Sequence, residues 1–190
     1  MRSATLVLEG GITEIVGPAS SGRTSWLVAC VRAVTRRGAL AALVDTDHVF
    51  DPFGAARAGV DLSRVLWVRC GQRVDRALRA ADLLVRCPGF ALIALDTGAL
   101  APRLSLATAY RLKLAVLRTR TALVIGAPRR IAASGAALAL ATARRHVEWS
   151  GPGPTPTRLD RVVTAVEVVR ARTVAVDLRP GTVHVAWWRA

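Results

Sequence analysis

The segment that most limits the fold is Gly17-Pro18-Ala19-Ser20-Ser21-Gly22-Arg23-Thr24, set between an apolar run, Gly11–Val16, and a helical stretch, Gly22–Thr35. It fits the pattern GxxxxGK followed by Ser or Thr at every fixed position except the lysine, which is Arg23. Glycines at both ends let the backbone wrap closely, so that its N–H groups and the N-terminus of the following helix face an anion. Thr24 then offers a hydroxyl to Mg²⁺, and Gly17 through Ser25 form the candidate phosphate-binding loop. The bland alternative is a glycine-rich strand-to-helix turn.

Such a loop needs a sheet whose carboxyl edge receives it, and the rest of the chain supplies one. Strands are expected at Gly11–Val16, Leu40–Asp45, Val65–Val68, Phe90–Asp96 and Thr121–Gly126. Helices are expected at Gly22–Thr35, Asp51–Ala58, Val74–Arg86 and Leu104–Leu117. Strands alternating with helices imply parallel pairing through right-handed crossovers, with helices on both faces. Phe90–Asp96 is nearly continuous in apolar residues, as a strand buried on both faces should be.

The last third changes character. Small residues make Ala132–Thr142 read as a helix, whereas Arg144–Trp149, Arg161–Arg172, Val174–Leu178 and Thr182–Trp188 alternate as strands do. Pro152, Pro154 and Pro156 mark a loop at 150–157, and Pro180-Gly181 a turn. The expected fold class is therefore α/β, a mainly parallel twisted sheet flanked by helices with antiparallel C-terminal strands. It forms one domain over 1–190, with a nucleotide-binding part at 1–150 and a strand extension at 158–190.

Asp96 ends the apolar strand, where a carboxylate beside a phosphate loop can hold the water shell of Mg²⁺; it can also serve as a plain N-cap. Arg23 is the departure with the most chemical content. Lysine is a slim point charge that lies along the loop and bridges phosphates. The arginine fork is wider and favours bidentate partners. It can point into solvent, pair with an acid, or hold a phosphate imperfectly.

Net charge is +14, which suits a polyanionic partner such as DNA, although Lys113 is the sole lysine and part of the arginine content reads as compositional drift. No apolar run reaches the roughly 18 to 20 residues of a membrane span, and the N-terminal residues turn acidic at Glu9, too soon for a secretory signal. A cytoplasmic protein with no membrane partner is expected. Cys30, Cys70 and Cys87 lack metal or disulfide spacing and read as buried thiols.

In collinear order these residues resemble RecA. Gly11–Thr24 looks like that family's strand and phosphate loop, including its Gly-Pro and Ser-Ser. Asp45-Thr46-Asp47-His48-Val49-Phe50-Asp51-Pro52 resembles the acidic turn after its second strand, and no generic ATPase fold demands this segment. Ala94–Leu100 is similar to the second nucleotide motif. Ser134–Leu138 looks like the segment after the second DNA-binding loop, and Val166–Arg172 like the closing strand of the core.

The resemblance implies ATP and Mg²⁺ as cofactors, with Thr24 and Asp96 toward the metal. It places Asp47 where the family has the glutamate that activates water; aspartate is shorter by about 1 Å of reach. A glutamine that senses the γ-phosphate falls near Ala127, which has no side-chain donor. The segment that packs RecA into filaments is expected to be missing before the first strand. The DNA loops are expected to be short, the second reduced to about Pro128–Ala133.

These departures resemble the ImuA family. That resemblance implies a polymerase-like ImuB-type partner and an error-prone DNA polymerase, in translesion synthesis and SOS mutagenesis. Binding without efficient turnover is expected. Two other readings stay open: a small DNA-dependent ATPase, and a nucleic-acid-binding regulator of RecA filaments with Arg129, Arg130, Arg144 and Arg145 as contacts. Trp187-Trp188-Arg189 is either a partner anchor or packed on a neighbouring element.

Overall fold

A computed structural model describes residues 7–155, 157–172 and 181–185. The strands are β1 (Ile12–Val16), β2 (Leu40–Asp45), β3 (Val65–Arg69), β4 (Phe90–Asp96), β5 (Ala122–Ala127), β6 (Leu138–Ser150), β7 (Arg158–Ala171) and β8 (Gly181–Val185). The helices are α1 (Arg23–Thr35), α2 (Pro52–Arg57), α3 (Val74–Leu84) and α4 (Leu106–Thr119). The strands form one sheet in the order β3-β2-β4-β5-β1-β6-β7-β8. Pairing is parallel from β3 through β6 and antiparallel for β6–β7 and β7–β8. This is the α/β class expected, a mostly parallel sheet with helices on both faces and antiparallel strands at its C-terminal side.

Two apolar layers hold the helices to the sheet. On one face Leu27, Val31 and Val34 of α1 pack with Ile15, Leu43, Leu92 and Leu140. On the other, Ala77 and Ala81 of α3 and Leu112 and Val116 of α4 pack with Ile12, Ile93 and Leu123. Each fully buried leucine or isoleucine contributes about 1.5–3 kcal/mol of transfer free energy. The central strands β1 and β5 are buried along their whole length, which explains their lack of polar alternation.

One element differs in kind from its expectation. Ala132–Thr142 is not a helix: residues 132–137 are turn and loop, and Leu138 onward is β6. Alanine favours helix only weakly, and here the tertiary setting decides. Leu138 to Ala141 lie between β1 on one side and β7 on the other, with Leu138, Ala139 and Leu140 buried. Small residues suit a strand flanked on both edges with packing on its faces.

The thiols also divide differently: Cys30 and Cys70 are buried, but Cys87 is exposed beyond the end of α3. Burial pushes the Cys30 thiol up to about 12. The strand expected at Val174–Leu178, Pro180 of the turn and Trp187-Trp188-Arg189 lie outside the described residues. No helix among the described residues is long and apolar enough to cross a membrane.

Candidate functional site

Register brings the carboxyl ends of four strands into one row. Asp45 of β2 pairs with Asp96 of β4, Asp96 with Gly126 of β5, and Gly126 with Ile15 of β1. The loop of residues 17–22 springs from β1 at this edge and enters α1, whose first residue is Arg23. Parallel sheets bind ligands at this edge, outside the carboxyl ends of the strands.

The loop is tied down from both sides. Gly17 N–H donates to the Ala127 carbonyl at 3.3 Å, so β5 anchors its start. The Thr142 hydroxyl donates to the Val16 carbonyl at 3.1 Å and lies 2.8 Å from the Ser21 hydroxyl, so β6 anchors its middle. Gly22 has φ +95°, and a Cβ there would sit 2.8 Å from the Thr164 hydroxyl of β7, so only glycine lets the loop turn into α1 at this spot. Pro18, Ala19 and Ser20 form the exposed crest of the loop.

Thr24 donates its hydroxyl to Asp96 Oδ2 at 2.8 Å, so the two residues expected to share a metal are in contact. Asp96 Oδ1 accepts the Gly98 N–H at 2.9 Å. Burial raises the Asp96 pKa, and a nearby Asp45 adds to this, while Gly98, Thr24 and Arg23 draw it back. Arg23 is only 9% exposed. It turns away from solvent and reaches the Gly98 carbonyl through Nη2 at 3.1 Å. Burial lowers its pKa, opposed by the charges of Asp96 and Asp47. Asp47 Oδ2 in turn accepts the Ala99 N–H at 2.9 Å.

Sequence reasoning missed Asp45, which organises this end of β2. Its carboxylate accepts N–H groups from Val49 and Phe50 at 3.2 and 3.1 Å and the Trp67 indole N–H at 3.2 Å, shaping the turn that carries Asp47. The available signal was a carboxylate ending an apolar strand, as Asp96 does.

A cavity of about 310 Å³ adjoins the loop, lined by Ser20, Gly22 and Ser25 on one side and by Arg144, Trp149 and Thr164 of β6 and β7 on the other. The four arginines expected to meet nucleic acid therefore do not form one patch. Arg144 stands beside the phosphate loop and Arg145 is exposed next to it on β6. Arg130 instead donates through Nε to Glu14 Oε2 at 3.1 Å, and Arg129 donates to the Ala101 carbonyl at 3.3 Å. Glu14 is fully buried and also accepts the N–H groups of Ile131 and Ala132, both at 2.7 Å, so it holds the segment after β5 against β1.

The family described as RecA N-terminal domain matches residues 5–137, well over half of the chain. The chain belongs to this family. It is 37% identical over 95 residues to Protein RecA of Bacteroides thetaiotaomicron, covering 50% of this chain and 28% of that protein. It is 39% identical over 98 residues to Protein RecA of Tropheryma whipplei, covering 51% and 22%. With Protein RecA of Borreliella burgdorferi the identity is 37% over 117 residues, covering 56% and 32%. The chain thus matches about a third or less of the length of these relatives. The RecA-type match ends where β6 begins, so the wall that Arg144, Trp149 and Thr164 build lies beyond it.

The site's fit to the family's cofactors is uneven. The loop, its glycine turn and the N-terminus of α1 suit a phosphate. Thr24 and Asp96 are of the donor class that Mg²⁺ takes, but the positive charge of buried Arg23 already acts on Asp96. The residues present fit a phosphate better than a phosphate together with a divalent metal.

Proposed function

We propose that this chain is a RecA-derived accessory protein of the DNA damage response, of the ImuA type. It supports error-prone translesion synthesis through contacts with a polymerase-like ImuB-type protein and an error-prone polymerase, and it binds ATP without efficient turnover. The observation that carries this reading is the state of the groups around Gly98. Arg23 is engaged with the Gly98 carbonyl and Asp47 with the Ala99 N–H, bonds that each would have to give up to act on a reacting phosphate. Ala127, near which the RecA resemblance puts a γ-phosphate-sensing glutamine, is buried and has no side-chain donor to offer. Hydrolysis requires such groups to be aligned on the transition state, and misplacement is costly. The cavity beside the loop is large enough to take a nucleoside, with Trp149 as an aromatic wall.

Action by protein contact draws support from α4. Its inner face buries Ala109, Leu112 and Val116, yet Leu106, Tyr110, Leu114 and Leu117, at helical spacing, are 72%, 61%, 49% and 53% exposed. A helix apolar on two faces with one uncovered is suited to a protein partner.

In host cells, Arg23→Ala should leave damage-induced mutagenesis nearly unchanged, whereas Tyr110→Glu with Leu114→Glu should abolish it and release the polymerase-like partner on co-purification. Loss of mutagenesis in a folded Arg23→Ala protein that still binds nucleotide would sink the non-catalytic reading. Phosphate release stimulated by single-stranded DNA, above the level of a Thr24→Ala control, would favour the ATPase instead.

A further inference from the structure

Arg23 does more than replace a lysine, because it is tied to the segment that follows Asp96. The residue is 9% exposed, its guanidinium donates to the Gly98 carbonyl through Nη2, and it feels the charges of both Asp96 and Asp47. The same short segment is gripped from the other side. Asp96 takes the Gly98 N–H and Asp47 takes the Ala99 N–H. Gly98 has φ +62°, a conformation that suits glycine, and a Cβ there would displace the Asp47 carboxylate. Two carboxylates and one fixed cation thus close around residues 98–99. The remaining nitrogen of the fork, Nη1, is buried and has no hydrogen-bond partner among the described residues. A buried charged donor left unpaired is costly, and an anion oxygen would satisfy it.

We infer that the phosphate loop binds a diphosphate-bearing nucleotide without Mg²⁺, with Arg23 supplying through Nη1 the positive charge that the metal would otherwise bring. This rests on the nucleotide-binding reading of the loop. A divalent ion entering between Thr24 and Asp96 would meet the charge of a guanidinium that already acts on Asp96 and cannot move into solvent without breaking its bond to Gly98. A lysine has no fork with which to hold Gly98 and a phosphate together, so it would leave Asp96 open to metal.

The test is ADP titrated calorimetrically into the full chain with excess Mg²⁺ and again with EDTA, for wild type and Arg23→Lys. Mn²⁺ electron spin resonance on the same samples gives a second readout. Wild type should show a Kd that changes less than about twofold between the two conditions and should order no Mn²⁺. Arg23→Lys should bind about tenfold more tightly with Mg²⁺ and acquire an ordered Mn²⁺ signal. Wild type that binds about tenfold more tightly with Mg²⁺, or that orders Mn²⁺ with ADP, overturns the metal-free site while leaving nucleotide binding intact. Binding in neither condition overturns the nucleotide reading, and this inference with it.

Discussion

At the scale of single residues, opposing effects meet at Asp96. Burial disfavours its ionised form, while Thr24, the Gly98 N–H and Arg23 favour it. Burial prevails, so the folded-state pKa lies above that of the unfolded chain. Ionised Asp96 is therefore a stability cost at neutral pH, and the cost is relieved as pH falls through the folded pKa. An asparagine at this position does not titrate. The melting temperature of wild type relative to Asp96→Asn should therefore rise as the pH is lowered from neutral, which scanning calorimetry of the two proteins would measure. A difference that moves the other way would mean that Arg23 and Thr24 outweigh desolvation. The sequence made Asp96 visible as a carboxylate closing an apolar strand, and the structure puts it in contact with Thr24 of the loop. It could not show that Arg23 folds inward. An arginine's direction depends on what lies within its reach, and here that is a carbonyl 75 positions away.

Among the elements, the strands and helices up to β5 were legible because each carries its own period and sits next to its own loop. β6 was not. Its first residues are small and helix-compatible, and only two neighbours distant in sequence, β1 and β7, make them a strand. The Glu14 anchor was hidden for the same reason, since its partners lie more than a hundred residues further on. That anchor has a measurable weight. In Glu14→Gln the carbonyl oxygen can still accept the N–H groups of Ile131 and Ala132, but the amide nitrogen then faces the Arg130 donor. Breaking one side of a buried charged network should cost about 2–3 kcal/mol, read as a lower midpoint in urea unfolding. Adding Arg130→Met to the Glu14→Gln chain should recover part of that loss. If it recovers nothing, the ion pair is incidental and the backbone bonds alone hold the segment.

For the molecule as a whole, the question is whether a net charge of +14 is a working surface or a by-product of composition. The fold narrows where to look. Arg130 is consumed by Glu14, whereas Arg144 and Arg145 are exposed on the part of β6 that runs past the end of β1 and pairs with β7 alone. Basic residues on a strand that stands clear of the core can approach a phosphate backbone without displacing any structural bond. If they do, binding of single-stranded DNA should weaken steeply as salt rises. Arg144→Ala with Arg145→Ala should then lower the slope of log K against log salt by about 0.7 for each phosphate no longer neutralised. The double variant should unfold at nearly the wild-type temperature, since both residues are exposed. A slope that the double variant leaves unchanged would put any DNA-binding surface elsewhere on the molecule. A flat salt response in wild type would assign the charge to composition.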